Sequence, residues 1–406
     1  IDLRLPAGQG QRVVRCELTL EPGEVRRWDV DLAAGPPLEE AVVEGERYTA
    51  GAISLREHLP AGYHRLSVEV AGTLARTMIM AAPVKACSPS SGTGDRTWGA
   101  FLPLHALQSQ RSWGAGDFSD LEAFMEWVAG LGGRIVGTLP LLSSFLDRPC
   151  DPSPYTPVSR LFWNEMYLDV ARVPEMASCP EARDMAGSDS FRGEVESLSG
   201  QRLVDYRRVM ALKRTVLEKL AMTLTPGSGG RYEAFRAFLA ERGDVPDYAR
   251  FRAAVEARGG PWPGWPEAQR GGVLRPGDFA AGAEHYHAYV QWLAEQQLQE
   301  VSDRSRGRGI SLYLDLPLGV HRDGYDTWRE QGLFVREVCS GAPPDALFHK
   351  GQNWGFPPLH PQRVREQGYR YPIAYLRHHM KYADILRVDH VMGLHHLYWV
   401  PDGMPA

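Results

Sequence analysis

Two apolar runs, GISLYLDLPLGV at 309–320 and YADILRVDHVMGL at 382–394, constrain this fold more than any other feature. They read as strands, and each places a carboxylate where the strand should end, Asp315 in the first and Asp389 in the second. Two earlier runs, GAFLPLHAL from residue 99 and GRIVGTLPLL from residue 133, flank a helical pattern. Strand, helix, strand with continuous apolar strands implies a parallel sheet covered by helices. In a (β/α) barrel, carboxylates at the C-terminal ends of different strands converge on one mouth. The spacing predicts four such strands, near residues 100, 135, 312 and 386. Between the first two, Ser119 and Glu122 have the spacing of a capping box. The helix they open has an apolar face of Leu121, Phe124, Met125, Val128 and Leu131, and the Gly132-Gly133 pair stops it.

The rest of the chain has a different character. Residues 1–85 alternate apolar and polar residues in RVVRCELTL, VRRWDVDL and YHRLSVEV, separated by PG, AAGPP and LPAG turns, which suits a small β-sandwich serving as an accessory module. Residues 86–97, rich in Ser, Gly and Thr, read as a linker. The stretch 98–176 begins the barrel, and 177–300 is helical. There Val209, Leu212, Val216, Leu217 and Leu220 fall on one helix face, and Tyr286, Tyr289, Val290, Leu293 and Leu298 on another. We expect 177–300 to be a helical subdomain inserted into the barrel, which resumes over 301–406.

Composition excludes several function classes. A net charge of −5 over 406 residues argues against a general binder of nucleic acid or of anionic membranes. No window of about 18 uncharged apolar residues occurs, so no transmembrane helix is expected. The 5 cysteines are sparse and form no CxxC pair, which favours a reducing, cytoplasmic compartment over a disulfide framework or a zinc site. Walker A, GxGxxG, GxSxG and HExxH motifs are all missing. His390, His395 and His396 lie close together without a metal-ligand spacing, so no metal site is expected.

Asp389 is the most informative position, with Arg387 two residues before it and His390 immediately after. A carboxylate beside a guanidinium has its ionised form favoured, as a nucleophile attacking an anomeric carbon requires, although a structural Arg–Asp pair at a strand end fits the same pattern. Asp315 is read likewise, and equally suits a cap on the Leu-Pro turn that follows. Tyr155 in DPSPYTP and Trp354 in GQNWGFPP are aromatics set in polar loops. Their flat faces beside amides and hydroxyls suit a sugar ring, or simply pin a loop.

The strings GDF with DLEAFMEWVAGLG, LPL, DPSPYTPVSRLFWNEMYLD, VDYRRVMALK, YVQWLAEQQL, YLDLPLGVHRDGYDTW, GAPPDALFHKGQNWGFPPLHP and LRVDHVMGLHHLYWVP occur in this order. Together they closely resemble the 4-α-glucanotransferases, also called amylomaltases or disproportionating enzymes. The resemblance implies an α/β fold, a TIM (β/α)8-type barrel of the α-amylase clan interrupted by helical segments, with the sandwich as an extra module of one bacterial branch. It implies transfer of α-1,4-glucan segments between maltooligosaccharides with retention and without metal or organic cofactor. It carries Asp389 onto the family's nucleophile, and Arg387 and His390 onto the pair that orients it and contacts the sugar. Asp315 matches the clan's carboxylate after the third strand. Ser153 and Tyr155 match the aromatic platform beneath the sugar, and Gln352 and Trp354 match a loop lining the substrate groove.

One departure matters. The family's acid/base Glu lies in a Glu-Asp-Leu-Gly block beyond the nucleophile strand, and these 406 residues hold no such block. With four predicted strands, only the first half of an eight-stranded barrel is expected here. The start at Ile1 and the end at Ala406, shortly after Asp389, predict a chain truncated at both ends. Two other readings stay open: a non-catalytic glucan-binding fragment, and an α-glucan hydrolase of the same clan.

Overall fold

The computed structural model describes residues 1–7, 13–32, 39–55, 58–70, 72–85, 97–227 and 229–406. It divides into two units, Ile1–Asp95 and Arg96–Ala406.

The first unit holds two antiparallel sheets. One orders the strands Val25–Asp31, Val13–Thr19, Gly62–Val70 and Thr73–Ala81; the other orders Asp2–Pro6, Glu46–Ala52 and Glu39–Val43. Period-two alternation turns Val14, Cys16 and Leu18 of one strand and Leu66, Val68 and Val70 of its neighbour to the same side, where Leu3 and Leu5 of the other sheet pack on them. This is the expected sandwich. The expected linker falls almost wholly at 86–96, outside the described residues.

In the second unit, strands Gly99–Phe101, Ile135–Gly137, Ser311–Leu316 and Ile385–Val388 lie side by side in chain order, all parallel. These are the four predicted positions. Alternation along Ser311–Leu316 buries Leu312 and Leu314 in the main hydrophobic core, while Tyr313 and Asp315 point to the other face. Gly137 must lack a side chain, because a Cβ there would lie 2.0 Å from the Tyr313 ring.

The helix after the first strand spans Phe118–Gly130, and its cap corrects the expected one. The cap is Asp117, whose Oδ1 accepts from the N–H of Ser119 and of Asp120, while Asp120 Oδ2 accepts from the Asp117 N–H. Asp117 and Asp120 therefore make the reciprocal bonds assigned to Ser119 and Glu122. Ser119 and Glu122 instead accept from Arg172, and Glu122 also pairs with Arg304. Leu121, Met125 and Val128 are buried as expected, but Leu131 lies past the helix end and is exposed.

Helices Pro180–Gly187, Asp189–Ser199, Tyr206–Thr223, Gly230–Glu241 and Val245–Arg258 occupy the predicted helical stretch. The longest helix, Ala281–Gly307, runs through the boundary expected at 300, because Val301, Ser302 and Ser305 are still buried and the Ser302 hydroxyl donates to the Tyr382 carbonyl at 2.8 Å. One continuous core joins these helices to the parallel sheet. A small antiparallel sheet that the sequence did not suggest joins Val338–Ala342 to Gln352–Asn353 and to Tyr398–Pro401. Its strands are too short to show a period.

Candidate active site

Register places the two carboxylates. Asp315 pairs across the sheet with Arg387, and the Asp389 N–H donates to the Leu316 carbonyl at 3.0 Å, which extends the ladder by one residue. Both acids therefore emerge at the same ends of adjacent parallel strands. Arg387 lies between them. Its Nη1 donates to both Asp315 carboxylate oxygens at 2.8 Å, and its Nη2 donates to Asp389 Oδ1 at 2.7 Å. The Tyr155 hydroxyl completes the set by donating to Asp315 Oδ2 at 3.0 Å.

The two acids are not equivalent. Asp315 is 2% exposed and both its oxygens are taken, whereas the Asp389 side chain is 29% exposed and is held through Oδ1. Burial raises the Asp315 carboxyl above its ordinary value and the nearby Asp389 charge adds to this; the bonds from Arg387 and Tyr155 restrain the rise. Burial, and then the Asp315 charge and hydrogen bond, push the Tyr155 phenol up to about 12. Burial lowers the Arg387 pKa, but the bonds and charges of the two acids outweigh it and hold the guanidinium firmly as a cation.

The second cluster begins where the first ends. His390 adopts a left-handed backbone, φ +45°, unusual for a residue with a side chain. Its ring meets Trp354 edge-on at 4.8 Å. The small antiparallel sheet fixes that tryptophan: its N–H donates to the Ser340 carbonyl at 2.9 Å, and Gly351 and Gly355 take positive φ on either side. Trp354 Nε1 donates to Gln352 Oε1 at 3.2 Å, and Phe356 stacks 6.0 Å away. Ser153 shapes the Tyr155 turn through its backbone. Its N–H donates to Asp151 Oδ1 at 3.2 Å and its carbonyl accepts from the Thr156 N–H at 3.3 Å.

Three side chains beside these clusters escaped the sequence reading. Tyr313 shares the Asp315 face two residues upstream, a position that period two along the strand would have found, and meets Phe101 edge-on at 5.9 Å. Asp151 Oδ2 accepts from the Thr156 hydroxyl and lies 3.6 Å from His321 Nε2. Nothing in the local sequence marks that pair. Among the described residues, no group of three or more His, Cys, Asp and Glu side chains is placed to hold a metal ion.

A sandwich unit is thus followed in the chain by a parallel α/β unit that gathers acids and aromatics at its strand ends. Residues 102–406 match the family model of glycoside hydrolase family 77, 4-alpha-glucanotransferase, and residues 1–83 match the MalQ N-terminal beta sandwich domain. The chain belongs to the 4-alpha-glucanotransferase family. It is 33% identical over 404 residues to the 4-alpha-glucanotransferase of Mycobacterium bovis, covering 96% of this chain and 55% of that protein. Against the Haemophilus influenzae 4-alpha-glucanotransferase it is 30% identical, covering 86% and 53%. Among solved structures, the amylomaltase from Corynebacterium glutamicum superposes with a TM-score of 0.82 at 24% identity, covering 100% of this chain and 56% of that one. Amylomaltase from Streptococcus agalactiae in complex with acarbose gives 0.63 at 22% identity, covering 76% and 62%. The chain thus spans about half the length of the curated relatives it matches.

Proposed function

We propose that the enzyme containing this chain is a 4-α-glucanotransferase acting on maltooligosaccharides and α-1,4-glucans by retaining double displacement. The observation that carries this reading is Arg387 held between a buried acid and a partly exposed one at adjacent strand ends. Asp389 is the nucleophile. A carboxylate oxygen attacks the anomeric carbon, the bond to the leaving sugar breaks, and a glycosyl ester forms; the 4-hydroxyl of an acceptor then displaces Asp389. Arg387 keeps Asp389 aimed, and Asp315, saturated by Arg387 and Tyr155, holds that guanidinium in place. Tyr155 and Trp354 offer stacking faces for sugar rings, with Ser153, Gln352 and His390 shaping the groove.

A retaining mechanism needs a second carboxyl about 5 to 5.5 Å from the first to donate and recover a proton. Asp315 has no free oxygen for that role. We assign it to a group outside residues 1–406, in keeping with the greater length of the relatives. In the same reading the four strands are half of a (β/α)8 barrel. Among the described residues, Gly99–Phe101 and Ile385–Val388 each pair on one side only, and exposed Phe101, Trp98 and Trp127 lie on the first strand, beside it and on the helix that follows. Cys16, Cys150, Cys179 and Cys339 are all free, which suits a cytoplasmic location.

Incubation of the complete enzyme containing this chain with maltotriose tests the reaction. Longer maltooligosaccharides together with glucose are the expected products. Glucose and maltose alone would replace the proposal with a hydrolase, and binding without turnover would replace it with a glucan-binding fragment.

A further inference from the structure

Arg160 lies almost fully buried, 3% exposed, in the segment that follows Tyr155. Its Nη1 donates to the Leu318 carbonyl at 3.0 Å, in the turn after Asp315, and its Nε donates to the Tyr371 hydroxyl at 3.1 Å. The guanidinium sits 4.2 Å from the centre of the Tyr375 ring, on the helix Arg370–Met380 that leads into the strand carrying Arg387. Asp326, also buried, gathers the same segments: it accepts from the Ser159 hydroxyl at 2.5 Å, the Arg160 N–H at 2.9 Å and the Tyr371 hydroxyl at 2.5 Å. Tyr371 thus bridges the buried cation and the buried anion. The backbone stitches tighten the join, with Val158 bonded to Tyr325 and Pro157 to His321.

Stability alone does not account for this hub. Burying a guanidinium and a carboxylate is costly, and well-packed apolar residues of similar volume often do as well or better. What the network does is tie together the three segments that carry Tyr155, Asp315 and Arg387. None of the hub residues touches the reacting groups.

Building on the functional reading above, we propose that Arg160 and Asp326 are positioning residues, which hold the Tyr155 hydroxyl on Asp315 and so hold Arg387 against Asp389. The Arg160–Asp326 hub acts on geometry, and its loss uncouples Tyr155 from Asp315 while the fold persists.

The test uses 3-fluorotyrosine placed at position 155. The ¹⁹F resonance of the Asp315→Leu variant, which has no acceptor oxygen, marks the broken Tyr155 hydrogen bond. Arg160→Met is expected to move the resonance at least half of that distance, with Tyr371→Phe giving a smaller shift in the same direction should Arg160→Met fail to fold. Lys213→Met, a buried cation elsewhere that donates to the Met166 and Leu168 carbonyls, controls for general destabilisation and should leave the resonance in place. An unmoved resonance in folded Arg160→Met or Tyr371→Phe, or an equal shift in Lys213→Met, overturns the proposal. Transfer from maltotriose is measured on the same variants made in the complete enzyme, which includes the acid/base group assigned outside residues 1–406. Its absence in the wild type would count against the glucanotransferase reading, while the ¹⁹F shift still decides the role of Arg160.

Discussion

At the residue scale, one guanidinium governs the site. Removing Arg387 leaves Asp315 buried with only Tyr155 as partner, so its carboxyl rises further above its ordinary value. A raised folded pKa means the native state binds a proton that the unfolded state has already released. The resulting penalty is small below the unfolded value near 4 and grows as pH rises through the folded one. Arg387→Met is therefore expected to cost about 3 kcal/mol at pH 8, where the acid is left ionised and unpaired, and markedly less at pH 4. Urea unfolding at the two pH values measures this, and a cost independent of pH would remove Arg387 from its role as the partner of Asp315. The sequence made Asp389, Arg387 and Asp315 legible because strand-end acids stand out against apolar runs. The Asp151–His321 and Arg160–Tyr371 contacts were hidden because each joins distant segments, the latter pair being 211 positions apart.

At the scale of elements, the four short strands were readable from apolar runs, yet the start of the helix Phe118–Gly130 was misplaced. Ser119 and Glu122 satisfy the spacing rule, but Asp117 and Asp120 satisfy it equally, and the Lys213 charge favours an acid at Asp117. Burial raises the Asp117 carboxyl to about 6, opposed in part by the Lys213 charge. The unfolded chain releases that proton near pH 4, so the native state loses stability as pH climbs from about 4 to 6, by about 3 kcal/mol in all. Asparagine keeps an oxygen for the two backbone N–H groups and carries no charge. Asp117→Asn is thus expected to gain on the wild type by about 2–3 kcal/mol between pH 4 and pH 7 in urea unfolding. Parallel stability profiles would show that Asp117 is ionised without cost. The antiparallel sheet holding Trp354 escaped sequence reading for another reason: its strand Gln352–Asn353 is two residues long, and long-range pairing alone defines it.

At the scale of the whole molecule, a sandwich unit with its own core precedes a parallel α/β unit that holds every candidate site residue. In the proposed mechanism Asp389 forms a covalent bond to the sugar. An α-maltosyl fluoride donor tests it most directly, because fluoride departs without a proton from a general acid. Attack by Asp389 on the anomeric carbon breaks the C–F bond and leaves a glycosyl ester, which mass spectrometry of the digested protein locates. A maltosyl adduct is expected on the peptide containing Asp389, lost in Asp389→Asn while maltooligosaccharide binding persists. An adduct on Asp315, or an unaltered yield in Asp389→Asn, would contradict it.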